Sequence, residues 1–425
     1  MNAKRLTLIV ATGLAATGCG VTATVLGPAQ RNTSTAAALL ASRQSATAAT
    51  ATPAPTPPAA ASSPPPSPSR ATPAATPAPA PPPPPPQVVV TAAESNVSGP
   101  TFQVTLVSTR GTVLASAAVP ADARWTVGAG GGAAYWVTGG SLQRLGTSGA
   151  VSTLATVPAT QNGRVVVSPD GSQWAFSTTT QDGHGVASNR LYRGGGAEAT
   201  QLVAQRDSDP AHPSADAPPS WQYYPIAWTA QGILVERQPL GGCGCGTPFD
   251  MEMTAGYSAV IDPVTGTATP VTASDTCPLS GIGADGTAAC FKVSSTGGSA
   301  SIDFLTSLHL TARYALSGTT SGGDATFHGS TVAYATVPKD AGGCGGPDWR
   351  PVTTLHVMDV STGDARAIGP LGLAPVAWLN TGLILGTRTV AGANGASTSS
   401  VVVVDPASGH VATILSSSTT VVGIA

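Results

Sequence analysis

Five of the six cysteines, Cys243, Cys245, Cys277, Cys290 and Cys344, fall in one third of the region whose composition can fold. Outside the cytosol such a cluster reads first as disulfides, and an odd number leaves at least one thiol over. Cys277 with Cys290, and Cys243 or Cys245 with Cys344, would pin neighbouring loops, and spacing leaves the connectivity open. Four thiolates could also hold zinc, but Cys243-Gly-Cys245 lacks the two-residue spacer of structural zinc sites. The expectation is therefore disulfides, with no metal and no cofactor.

Hydrolytic or lyase chemistry on glycans or peptides would need paired carboxylates or an activated nucleophile. Asp122, Asp275 and Asp324 stand where such a pair could form. The chain has no GxSxG elbow, no HExxH and no phosphate-cradling glycine loop, so no catalytic residue is assigned. Asp207, Asp209, His212 and Asp216 could offer ligands to a cation, although a solvated polar loop accounts for them as well. Binding chemistry is better represented. Trp221-Gln-Tyr223-Tyr224 and Trp349-Arg350 carry the side chains that most often anchor interfaces or stack on sugar rings, and all five aromatic and arginine residues are candidate ligand contacts. The plain alternative is that these rings pack down on the edges of the fold.

The composition says what must position them. Gly and Pro number 50 and 38, 9% of residues are charged, and no segment after position 86 keeps a 3.6-residue apolar period. Short strands and turns are expected throughout. A net charge of −2 with scattered Lys and Arg argues against a nucleic-acid partner.

One unit recurs: an apolar strand, a turn ending in Gly, and a second apolar strand. It appears at Val165–Phe176, Pro225–Val235, Ile282–Phe291 and Pro375–Leu385, with looser copies at Val127–Trp136 and Phe327–Tyr334. A second hairpin follows most copies, as in Val260-Ile-Asp-Pro-Val-Thr-Gly266, Val357-Met-Asp-Val-Ser-Thr-Gly363 and Val403-Val-Asp-Pro-Ala-Ser-Gly409. Four strands per repeat, here a to d, at intervals of about 40 to 60 residues describe propeller blades. Val421–Ala425 reads as a strand a with nothing after it, and Val88–Ala93 onward as b, c and d with nothing before. The expected fold is all-β: a seven-bladed β-propeller over 87–425, closed by both ends, with six or eight blades as alternatives. Trp228 and Trp378, each on a strand a, are expected in its core.

The stretch Val167-Ser-Pro-Asp-Gly-Ser-Gln-Trp-Ala-Phe176 resembles the WD40-like repeat of TolB-type periplasmic propellers. That resemblance implies a non-catalytic interaction scaffold. In such a blade the a-b and c-d turns share one face of the disc, and the b-c and d-a connections share the other. The long insertions, Gln205–Tyr224, Arg237–Gly256, Pro338–Val352 and Arg388–Ser399, all belong to the second face, which is therefore expected to bind a partner. The first face is expected only to connect strands.

Lys4 and Arg5 precede an uncharged run, the order of an export signal over 1–26. Leu14-Ala-Ala-Thr-Gly-Cys19 resembles a bacterial lipobox, which implies lipidation at Cys19. An uncleaved anchor over Leu6–Leu26, long enough to cross a bilayer, and soluble secretion are the alternatives. Residues 27–86 read as a disordered linker whose Pro-rich part, ~36 residues in polyproline II at ~3.1 Å each, reaches on the order of 100 Å. Together these features describe an extracytoplasmic propeller anchored to a bacterial cell membrane, serving as a scaffold for a cell-envelope protein or glycan.

Overall fold

Runs of Val, Ala, Thr and aromatics bounded by glycines at positive φ make strands and tight turns. The computed structural model describes residues 87–93, 100–158, 163–181, 187–195, 198–208, 221–239, 249, 258–271, 279–293, 298–342, 348–393, 396–416 and 419–425. The signal, Cys19 and the linker lie outside them. Among the described residues, 28 strands form seven four-stranded antiparallel sheets, the seven blades expected. No helix among them is long and apolar enough to cross a membrane.

Blade 1 carries strands a to d at Gly128–Gly130, Ala133–Thr138, Ser141–Gly146 and Val151–Thr156. Blades 2 to 6 follow in chain order, with first strands Val166–Val167, Trp221–Thr229, Leu279–Ser280, Thr320–His328 and Leu373–Trp378. In blade 7, Thr419–Ile424 supplies strand a, while Val88–Ala93, Thr101–Ser108 and Val113–Pro120 supply b, c and d. The closing ladder pairs Val89 with Ile424 and Ala93 with Thr419. Val88 and Ala425 exchange both backbone bonds, at 2.9 and 2.8 Å. Closure through both ends removes two open sheet edges, as the sequence led us to expect.

The a strands pack against one another around the axis and the exposed d strands form the rim. Each apolar cluster joins two blades, because a four-stranded sheet buries its two faces only between neighbours. Val166, Ala175 and Leu191 of blade 2 pack on Ile233, Val235 and Ile261 of blade 3. Leu379, Leu385 and Val401 of blade 6 pack on Val89, Val107 and Val421 of blade 7. At the axis the approach is so close that a Cβ on Gly128 would stand 1.8 Å from the Val165 carbonyl oxygen.

Several aspartates fasten turns. Backbone bonds from Thr265 and Val264 hold the Asp262 carboxyl below the usual carboxylate range, and the Ser361 hydroxyl and N–H do the same for Asp359. The hydroxyls of Ser168 and Ser172 lower Asp170 to about 2. Asp303, fully buried in blade 4, is forked by Arg313 at 2.6 and 2.7 Å, as a desolvated carboxylate requires.

Three expectations need correction. Trp221–Tyr224 is not loop: it opens the blade 3 strand Trp221–Thr229, where Tyr223 pairs with Arg237 and Tyr224 with Glu236. Gln205–Ser208 likewise belongs to the fourth strand of blade 2, Glu198–Ser208. The apparent insertion Arg388–Ser399 is mostly ladder, since Ile384–Ala391 and Ser397–Val404 pair out to Ala391 and Ser397 and leave only 392–396 to connect them. Thr389 and Ser399 exchange a hydroxyl bond of 3.0 Å across that ladder, which polar β-formers sustain well. Finally, Trp228 and Trp378 are half-buried, not core. Trp378 donates its Nε1–H to the Thr326 carbonyl at 3.0 Å and stacks on His328 at 5.2 Å. An indole needs a partner for its N–H, and reaching one leaves part of the ring at the surface.

Candidate functional site

On the face of the b-c and d-a connections, the link from blade 7 to blade 1 is a 3-10 turn, Ala121–Thr126. Residues three apart eclipse in such a turn, so Ala123 and Thr126 both point inward and are fully buried. The Thr126 hydroxyl donates to the Ala123 carbonyl at 2.8 Å and accepts from the Val137 N–H at 2.9 Å. The intervening Arg124 and Trp125 are thereby turned outward. Trp125 is 60% exposed, and the Arg124 guanidinium covers its ring at 5.0 Å.

Arg164 enters from the start of blade 2, anchored by the Val165 N–H on the Thr126 carbonyl at 3.0 Å. Its guanidinium reaches the inner strand of blade 7 and donates to the Val422 carbonyl. Arg124, Trp125, Arg164, Tyr224, Thr420 and Val422 line a cavity of about 220 Å³ at the channel mouth, with no carboxylate among the described residues of its lining.

Across the mouth, Phe249 comes from the b-c connection of blade 3 and seats its ring on Gly323, in the inner strand of blade 5. A Cβ at Gly323 would meet the ring at 2.4 Å. Phe249 takes a φ of 60°, a left-handed conformation uncommon outside glycine, and meets Trp349 at 4.9 Å between ring centroids. Trp349 is therefore half-buried in an aromatic pair. Arg350 is exposed and forked onto Asp348 at 2.9 and 3.0 Å.

Of the five candidate ligand contacts, then, Tyr224 lines the cavity and Trp349 and Arg350 lie in a b-c connection of the same face. Trp221 and Tyr223 are placed as backbone on the Tyr224 strand. Asp122 is exposed, receiving the Thr138 hydroxyl at 3.5 Å, and Asp324 is exposed on the inner strand of blade 5. Asp275, Asp209, His212, Asp216, Cys243, Cys245, Cys277 and Cys344 lie outside the described residues, and Asp207 falls on a strand. Cys290, buried on Ala288–Val293, is disulfide-bonded. Among the described residues no three His, Cys, Asp or Glu side chains are grouped to hold a metal. Arg124, Trp125, Arg164 and Phe249 had not been anticipated; an Arg-Trp pair in a d-a connection was the one local signal.

The opposite face is not featureless. A groove of about 600 Å³ lies between blades 5 and 6, lined by His328, Trp378, Asp359 and Arg366 among others. Comparable gaps of about 450 and 300 Å³ separate blades 4 and 5 and blades 1 and 2. Blades diverge toward the rim, and a gap repeated around the ring is a property of the fold.

No protein-family model matches the chain, and no curated protein matches it in sequence. Solved structures do match. The acylaminoacyl peptidase of Pyrococcus horikoshii aligns over 77% of this chain and 50% of its own, at 10% identity and a TM-score of 0.46. Oligopeptidase B of Leishmania major aligns over 78% and 49%, at 8% identity and a TM-score of 0.43. A chain of the nidogen/laminin complex aligns over 66% and 91%, at 11% identity and a TM-score of 0.34. The chain spans about half the length of each of these two peptidases. At this degree of likeness the neighbours carry no argument about activity, and the propeller rests on its own strand order.

Proposed function

We propose that the chain is a membrane-tethered, extracytoplasmic β-propeller that binds a cell-envelope protein or glycan through the face bearing the channel mouth. The observation that carries this reading is the cavity lined by Arg124, Trp125, Arg164 and Tyr224. It presents an exposed indole and two guanidinium groups, and among the described residues neither a carboxylate pair nor an activated nucleophile lines it. Such a surface is equipped to hold a partner. The export signal, the Pro-rich linker and the two long b-c connections support the same reading.

The test is co-sedimentation of the full chain with isolated bacterial envelopes. Trp125→Ala should weaken binding by ~2 kcal/mol, the scale of a hot-spot aromatic, with little change in Tm because the ring is exposed. Binding left intact by Trp125→Ala but abolished by changes at His328 and Arg366 would move the site to the other face. Turnover of an envelope glycan or peptide by the chain would replace the scaffold with a hydrolase or lyase.

A further inference from the structure

Charged side chains are scarce in this chain, and several cations are neutralised locally. Arg313 and Lys292 share Asp303, Arg350 takes Asp348, and Lys339 takes Asp340. The mouth departs from that pattern. Arg164 spends one donor on a neutral backbone carbonyl, and Arg124 lies over an indole. Two guanidinium groups from different blades therefore line one cavity that has no acidic residue among the described residues of its wall. Arg164 is partly buried while Arg124 is exposed; partial burial raises the cost of the unbalanced Arg164 charge, and an anion entering between the two would recover that cost.

We propose that the channel mouth is a subsite for a carboxylated sugar residue. A guanidinium presents its N–H donors as a planar fork, which matches a carboxylate, and the Arg164 fork is already oriented by its bond to Val422. Trp125 lies beside the forks with one face under Arg124 and 60% of its surface exposed, a platform on which the C–H face of a sugar ring can stack. A cavity of about 220 Å³ suits a single ring with its carboxylate. The inference rests on the mouth being the binding face, and it specifies what that face holds.

Calorimetric titration of the full chain with a uronic-acid trisaccharide tests it, beside a neutral glucose trisaccharide and acetyl-D-alanyl-D-alanine. The uronate should bind, the neutral sugar should bind at least about tenfold more weakly, and Arg124→Gln should cost the uronate a similar factor at unchanged Tm. Arg164→Lys keeps a charge and a donor for Val422 but loses the fork, and should also weaken the uronate. Equal binding of neutral and acidic sugars, or indifference to Arg124→Gln, overturns the proposal. Tighter binding of the dipeptide than of the uronate overturns it in favour of a peptide carboxylate. If no probe binds while Trp125→Ala still releases the chain from envelopes, this inference falls and the assignment of the face stands; if Trp125→Ala releases nothing, the face itself is wrong.

Discussion

A chain ending at Thr419 should fail to form a stable propeller. The six residues removed supply most of the inner strand of blade 7, where Val421 is buried and Val422, Ile424 and Ala425 pack on the clusters that join blade 7 to blades 1 and 6. Their loss uncovers the edge of Val88–Ala93, whose Val89 and Val90 are fully buried. It also deletes the blade 7 carbonyl that Arg164 holds. Val421, which is buried, and Val422 and Ile424, which are partly buried, at ~1 to 1.5 kcal/mol each, together with an orphaned ladder edge, put the cost on the order of 5 kcal/mol, comparable to the whole stability of many domains. Thermal unfolding followed by circular dichroism should show no cooperative transition, or one far below wild type. A truncated chain that melts like wild type would mean the ring does not depend on this closure.

Glu236 should make the propeller less stable as pH rises. It lies on Gly232–Pro239 opposite Tyr224 and is 6% exposed, so burial raises its carboxyl from 4.5 to about 7 despite a bond from the Leu279 N–H. Between those values the folded chain holds a proton that the unfolded chain has released. The stability of the protonated form is therefore complete below about 4.5, declines through the window and is lost above about 7. The difference is on the order of 3 kcal/mol. Glu236→Gln can still accept from Leu279 and never ionises, so it should be the more stable protein at pH 8 by about that amount and equal to wild type near pH 4. Burial lowers the pKa of His356, which weakens the fold toward acid, so the contrast between wild type and Glu236→Gln isolates the carboxyl. Urea unfolding at several pH values reads it directly. Parallel pH profiles for the two proteins would place the Glu236 carboxylate in a solvated environment.

The hairpins of this fold could be read because each is specified locally. Val165–Phe176 and Val403–Gly409 need only a pleat of apolar residues and a glycine at positive φ, here Gly171 at 71° and Gly409 at 72°. The closing strand was legible for the same reason, as a valine run without its hairpin partner. Strand extensions were harder. Trp221–Tyr224 follows a Pro- and Ser-rich stretch and looks like its continuation, yet the aromatic β-formers Trp221, Tyr223 and Tyr224, opposite Pro239, Arg237 and Glu236, lengthen the ladder. The channel mouth was the least legible. Arg124 from the blade 7 to 1 link, Arg164 from blade 2 and Tyr224 from blade 3 meet only once the ring closes, and no spacing along the chain encodes that meeting. Phe249 is further hidden, since its partner Gly323 looks like any other strand glycine until the ring is seated on it.

The claim that matters most is that the mouth face, not the turn face, meets the partner. Hydrogen exchange of the full chain, alone and bound to envelope material, tests it by position. Binding should slow exchange at Ala121–Val127, around Arg164 and at Trp349–Val352, while the turns at Ser168–Gly171, Asp262–Gly266 and Asp359–Gly363 exchange as before. Protection of those turns, with the mouth unchanged, would contradict the account.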